Sequence, residues 1–106
     1  MKQVKAYIDH VRTNAVVQAL ADAGNRNLAL LNAQSTLKPL SDDERNFSPE
    51  GGGLLIGVAR LELVCEETEV DSVTTIIRMH GRIGTQVSGW VHVSGIDQAL
   101  PIGGDP

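Results

Sequence analysis

Hydrophobic and polar positions change period several times along this 106-residue chain, and each change marks the edge of an element. Val4, Ala6 and Ile8 alternate with Lys5, Tyr7 and Asp9, which predicts a strand over residues 4–9. From Arg12 the period lengthens. Val16, Val17, Leu20, Ala21 and Ala23 gather along one side of a helix over residues 14–23, with Thr13 or Asn14 as N-cap and Gly24 followed by Asn25 as the stop. Residues 28–33 form an apolar run too short for a helix, hence a second strand, and residues 34–36 can continue it.

Residues 54–65 carry the strongest strand pattern, rich in Ile, Val and Leu, but the alternation slips by one between Val58 and Leu61. A bulge, or burial on both faces, would absorb the slip. Val70, Val73, Ile76 and Ile77 then follow a helical spacing that ends near Met79 or His80. Thr68 is the expected cap, and Glu66, Glu67 and Glu69 suit the positive end of the helix dipole. Residues 89–94 read as a fourth strand, and residues 95–106 are too rich in Gly and Pro for another large element.

Strand, helix, strand, strand, helix, strand is the ferredoxin-like βαββαβ order, an α+β fold with two helices on one face of a four-stranded antiparallel sheet. The whole chain, 1–106, fits a single domain. The other sheet face needs cover, and the apolar third strand makes it a candidate subunit contact, so an oligomer is expected.

Composition narrows the function. A hydrophobic share of 42% with 21% charged residues is that of a folded domain. Tyr7, Phe47 and Trp90 are the three aromatic residues, so the core must be aliphatic and base stacking has little to work with. A net charge of −4 without a basic cluster argues against nucleic acid as a partner. No apolar run reaches the ~20 residues of a membrane span, so no direct membrane insertion is expected, and residues 1–5 lack the apolar core of a signal peptide. A cytoplasmic protein is expected. Cys65, the single cysteine, lies in an apolar run and reads as a buried, inert thiol.

The stretch with most chemical interest is the loop 81–89. Gly81, Gly84 and Gly89 permit close backbone approach and Arg82 adds a fixed cation, a combination suited to an anion such as phosphate, though also to a plain connection. A second notable stretch, residues 37–53, combines two prolines, three consecutive glycines and the charge run Asp42, Asp43, Glu44 and Arg45. It reads as a mobile loop, either a solvated connection or one that responds to a ligand or partner. No nucleophile–base grouping or complete phosphate loop is present, so the chain is not expected to be an enzyme. Asp9 and His10, as neighbours at a strand end, are expected to point to opposite sides. His10, Cys65, His80 and His92 show no ligand-like spacing, so no metal site is expected.

Taken together, these stretches resemble the nitrogen-regulatory PII signal-transduction family over nearly the whole length. Met1, Lys2 and residues 4–8 resemble its first strand, residues 16–24 its first helix with the closing glycine, residues 60–64 its third strand, and Val70, Asp71, Ile76 and Ile77 its second helix. Gly81, Arg82, Ile83, Gly84 and Gly89 resemble its B-loop, and residues 97–100 the start of its carboxy-terminal tail. The resemblance implies a compact homotrimer with ATP, ADP or AMP bound in clefts between subunits and no required cofactor. It also implies a T-loop, here residues 37–53, that docks onto a target transporter or enzyme. Ser35, Thr36, Lys38, Gly81, Arg82, Ile83, Gly84 and Gly89 are then the expected nucleotide contacts, and Asp42, Asp43, Glu44, Arg45 and Phe47 the partner contacts.

Departures from the family pattern modify the expectation. Trp90 stands where the family has a phosphate-binding lysine, and Pro101 and Gly103 where it has tail arginines. The glycines at the base of the T-loop are Ser35 and Leu37, the next two positions are Lys38 and Pro39, and the modified T-loop tyrosine has no counterpart. Each charged phosphate contact contributes ~1.5–3 kcal/mol, so losing three weakens triphosphate binding by orders of magnitude. Arg78, Arg82 and Lys38 remain, and ADP or AMP is expected to bind at least as well as ATP. An interaction module without a nucleotide, and a metal-responsive relative of the fold, are the alternatives.

Overall fold

A computed structural model describes residues 1–36 and 55–104. Its elements follow the order β1 (Lys2–Asp9), α1 (Thr13–Asp22), β2 (Ala29–Ser35), β3 (Ile56–Cys65), α2 (Val70–His80) and β4 (Gly89–Gly95). The four strands form one antiparallel sheet in the order β2-β3-β1-β4, the α+β βαββαβ arrangement that the periodicity predicts. The stretch 37–53, with Lys38 and the expected partner contacts Asp42 to Arg45 and Phe47, lies outside the described residues.

One face of the sheet carries the core. Val4, Ala6 and Ile8 of β1 and Leu61, Leu63 and Cys65 of β3 are buried against Val16 and Leu20 of α1 and Val73 and Ile77 of α2. Val17, Val70 and Ile76 pack at its margin, so each helix buries one stripe of the expected face.

Local chemistry sets the helix ends, in two places differently from expectation. α1 begins one residue earlier than expected, and neither Thr13 nor Asn14 caps it. A short 3-10 turn, His10–Arg12, leads into it, started by the Asp9 carboxylate, which accepts from the Val11 N–H at 3.1 Å. At the other end, Gly24 adopts φ 93° while its N–H donates to Ala21 O and the Asn25 N–H donates to Leu20 O, a Schellman closure. Thr68 does not cap α2. The 3-10 turn Glu67–Glu69 precedes the helix, and Glu66 and Glu69 each bond the other's backbone in a capping box.

The slip in β3 is resolved without a bulge. Its register runs one-to-one against β1 and against β2, so Ala59, Leu61, Leu63 and Cys65 face the helices while Val58, Arg60, Glu62 and Val64 face away. Ala59 and Val58 are both buried, which makes the sequence alternation look shifted. The far face is therefore mixed rather than apolar. Arg60 Nε lies 3.0 Å from Glu62 Oε1 and Lys5 Nζ 3.9 Å from the same oxygen, and Tyr7 meets His92 edge-on at 5.7 Å between ring centres. Trp90 and Leu31 sit on this face beside them.

Asp9 and His10 do not point apart. The 3-10 turn brings His10 Nδ1 to 3.4 Å from Asp9 Oδ1 and 3.2 Å from the Gly57 carbonyl, so the ring ties the end of β1 to the start of β3.

Cys65 is buried, and its thiol pKa is raised above the ordinary value near 9.0 by burial, reinforced by the Glu69 and Glu66 carboxylates. A thiol whose folded pKa exceeds its unfolded value stabilises the fold fully below the unfolded value and loses that contribution as pH rises through the folded one. Stability measured by urea unfolding is expected to fall as pH rises above about 9, with a shallower fall in Cys65→Ala. Labelling by a disulfide reagent at pH 8 should be slow in the native protein and fast in urea; equal rates would contradict the burial.

Candidate functional site

The loop 81–89 is built from the end of α2 outward. The Gly81 N–H donates to Ile77 O at 2.8 Å, and Arg12 Nε reaches across from the first turn to donate to His80 O at 2.8 Å. The chain then folds on itself, with the Ile83 N–H donating to Ser88 Oγ at 3.0 Å and Arg82 Nε to Gly84 O at 2.8 Å. It enters the sheet at Gly89, opposite Ile8.

The three glycines serve different ends. A Cβ on Gly89 would collide with the carbonyl oxygen of Tyr7, and one on Gly81 would lie 2.8 Å from Ile77 O, so these two are demanded by close backbone packing. Gly84 alone adopts a positive φ, 63°, and a side chain there would meet open space. The ligand-facing role expected of all three is thus unnecessary for two of them. The N–H of Ile83 is likewise already bonded within the loop.

Beside the loop lies a cleft of about 810 Å³, enclosed by the last turns of α2, the loop, the end of β1 and the start of β4. That volume falls within the range of small-molecule sites. Arg78 and Arg82 supply two cations, no carboxylate is on the wall among the described residues, and Thr85, Gln86 and Ser88 supply uncharged polar groups. Met79, Val87 and Trp90 add exposed apolar surface, with Trp90 52% exposed. Gly81, Arg82 and Gly89 of the expected contacts line the cleft, whereas Ile83 and Gly84 do not. Ser88, Thr85 and Gln86 were not singled out by sequence; no spacing rule marks them, and Ser88 is placed by the bond it accepts from the Ile83 N–H.

Ser35 and Thr36 are not brought to this cleft within one chain. Ser35 pairs with Ile56 at the same end of the sheet as Gly89, but β2 and β4 are opposite edges, three strand spacings or roughly 14 Å apart. No group of three or more His, Cys, Asp or Glu that could hold a metal ion occurs among the described residues, and none of their helices is long and apolar enough to cross a membrane.

Gly89→Ala is expected to lower stability by about 3 kcal/mol through overpacking, and Gly84→Ala by only about 1 kcal/mol through its positive φ. Urea unfolding of both variants measures this, and a larger loss at Gly84 would overturn the assignment of roles. The chain matches no family model and no curated protein.

Proposed function

We propose that the protein is a divergent PII-like regulator without enzymatic activity. On this reading it forms a homotrimer, takes an adenine nucleotide into clefts between subunits and acts on a partner through the stretch 37–53. The observation that carries it is the division of the expected nucleotide contacts between the two edges of one sheet end. Arg82, Gly81 and Gly89 line the cleft at the β4 edge, while Ser35 and Thr36 end the β2 edge. A ring of copies set edge to edge unites the two halves; a lone chain cannot.

Two arginines on the wall, with Trp90 in place of a lysine, favour a ligand with few phosphates and a flat ring. ADP or AMP is the expected effector, ATP binding no better. Calorimetry should give dissociation constants between about 1 μM and 1 mM, weakened about 10- to 100-fold by Arg82→Ala. Absence of heat with AMP, ADP and ATP at millimolar concentration would sink the nucleotide reading.

The exposed Met79, Val87 and Trp90 of the cleft favour a second reading, in which the same scaffold binds a protein partner and no nucleotide. The target, a transporter or an enzyme, is then held without regard to nucleotide, and capture of that target in the presence and absence of ADP separates the two.

A further inference from the structure

The Asp9–His10 pair stands apart from the cleft, whose wall contains neither residue. It sits where β1 runs into the 3-10 turn before α1, and three contacts fix it. Asp9 Oδ1 accepts from the Val11 N–H at 3.1 Å, which holds the carboxylate against the turn. The same oxygen lies 3.4 Å from His10 Nδ1, and that nitrogen is 3.2 Å from the Gly57 carbonyl oxygen of β3.

Both partners of Nδ1 are acceptors, so Nδ1 carries the ring proton in the neutral imidazole; the tautomer is assigned from those partners. Nε2 keeps its lone pair and has no hydrogen-bond partner among the described residues, on a side chain that is 71% exposed. An imidazole oriented by a carboxylate through one nitrogen and open at the other is arranged to donate electrons, since positive charge developing on the ring is met by the carboxylate. His80 and His92 lack this arrangement. Neither has a carboxylate at ion-pair distance among the described residues, His80 is half-buried at the end of α2, and the ring of His92 meets Tyr7 edge-on.

The surroundings decide what Nε2 takes. No group of three metal-ligating side chains occurs among the described residues, so the further ligands of a metal ion are missing. No hydroxyl among them is bonded to the ring, so there is no nucleophile for the imidazole to activate, and the ring itself must attack. Added negative charge is favoured at this place. α1 starts one short turn further on with no side chain capping it, and Arg12 brings a guanidinium to the same turn.

We propose that His10 Nε2 is a phosphoryl acceptor, taking the group from a donor of the phosphoramidate class, in which phosphorus is bound to nitrogen. The Nε2 lone pair forms the new N–P bond as the donor's P–N bond breaks, and the electron pair of that bond leaves with the donor nitrogen. When the donor is N-protonated phosphoramidate, the leaving group is ammonia. The Nδ1 proton stays in place, the ring becomes an imidazolium, and Asp9 holds its charge. His10 bears the group, and Asp9 is a positioning residue. The product sets a phosphoryl dianion at the junction of β1 and α1 while the Nδ1–H still donates to Gly57.

The probe is potassium phosphoramidate, applied to the full chain at about pH 8, where histidine is neutral by its ordinary titration. Mass spectrometry of the intact protein should show the addition of one phosphoryl group, lost in acid and kept in alkali as a phosphorus–nitrogen bond requires, and peptide mapping should place it on His10. His10→Gln should abolish the addition, and His80→Gln and His92→Gln should leave it unchanged. Asp9→Asn should slow it at least about tenfold, by removing the charge that faces the imidazolium. Nitrogen NMR of the unaltered protein reads the tautomer whether or not any variant folds, and Nδ1 of His10 should carry the proton. No addition at all, addition to His80 or His92 as fast as to His10, an Asp9→Asn rate equal to that of the unaltered protein, or an Nε2-protonated His10 overturns the proposal. Because His10 lies outside the cleft, each of these outcomes holds whatever the cleft binds.

Discussion

The structure depends on one constraint, the burial of a single side of β1. Val4, Ala6 and Ile8 point into the space under both helices, and β1 also pairs on one flank with β3 and on the other with β4. Two of the three positions hold branched residues that fill volume, while the middle one is alanine. Any change of register in β1 would turn these residues to the opposite face and set Lys5 and Tyr7 against the helices. The order of the sheet, the seating of α1 and α2 and the point where the loop 81–89 meets the sheet all follow from that orientation.

The far face obeys a different rule. It is neither a second core nor a plain solvated surface, because the Lys5–Glu62–Arg60 group lies among Tyr7, Trp90, His92 and Leu31. The charges are a quarter to a third exposed and attract one another across a screened surface, so their contribution to stability is small. Their effect is on specificity: whatever covers this face must supply a polar partner near Glu62 or leave the group hydrated.

Much of this was legible in the sequence because it rests on periodicity. Val16 with Leu20 and Val73 with Ile77 give the two helix faces, and Gly24 with Asn25 gives the stop of α1. The starts of the helices were not legible, since Asp9 and Glu66 act through 3-10 turns that local propensity does not distinguish from the helix itself. The pairing of Asp9 with His10 was hidden for the same reason, as the turn breaks the strand alternation that would separate them. The glycine loop was legible as a loop but misleading as a motif. Gly89 is required by the Tyr7 carbonyl one strand away, a contact that no local pattern encodes. Likewise nothing in the spacing of Ser35 and Arg82 reveals that they stand at one end of the sheet on opposite edges.

The bond from Arg12 to the His80 carbonyl has a consequence for the cleft beyond joining the turn before α1 to the end of α2. The cleft lies at the carboxyl end of α2, where the aligned peptide dipoles leave partial negative charge that repels an anion. Arg12 ties up one of those terminal carbonyls, and Arg78 and His80 stand in the last turn. Part of the positive charge around the cleft is thus consumed in cancelling the helix end, and the remainder is modest. On the proposed reading, a cleft so balanced would discriminate among ligands more by the fit of a flat or apolar portion than by the number of negative charges.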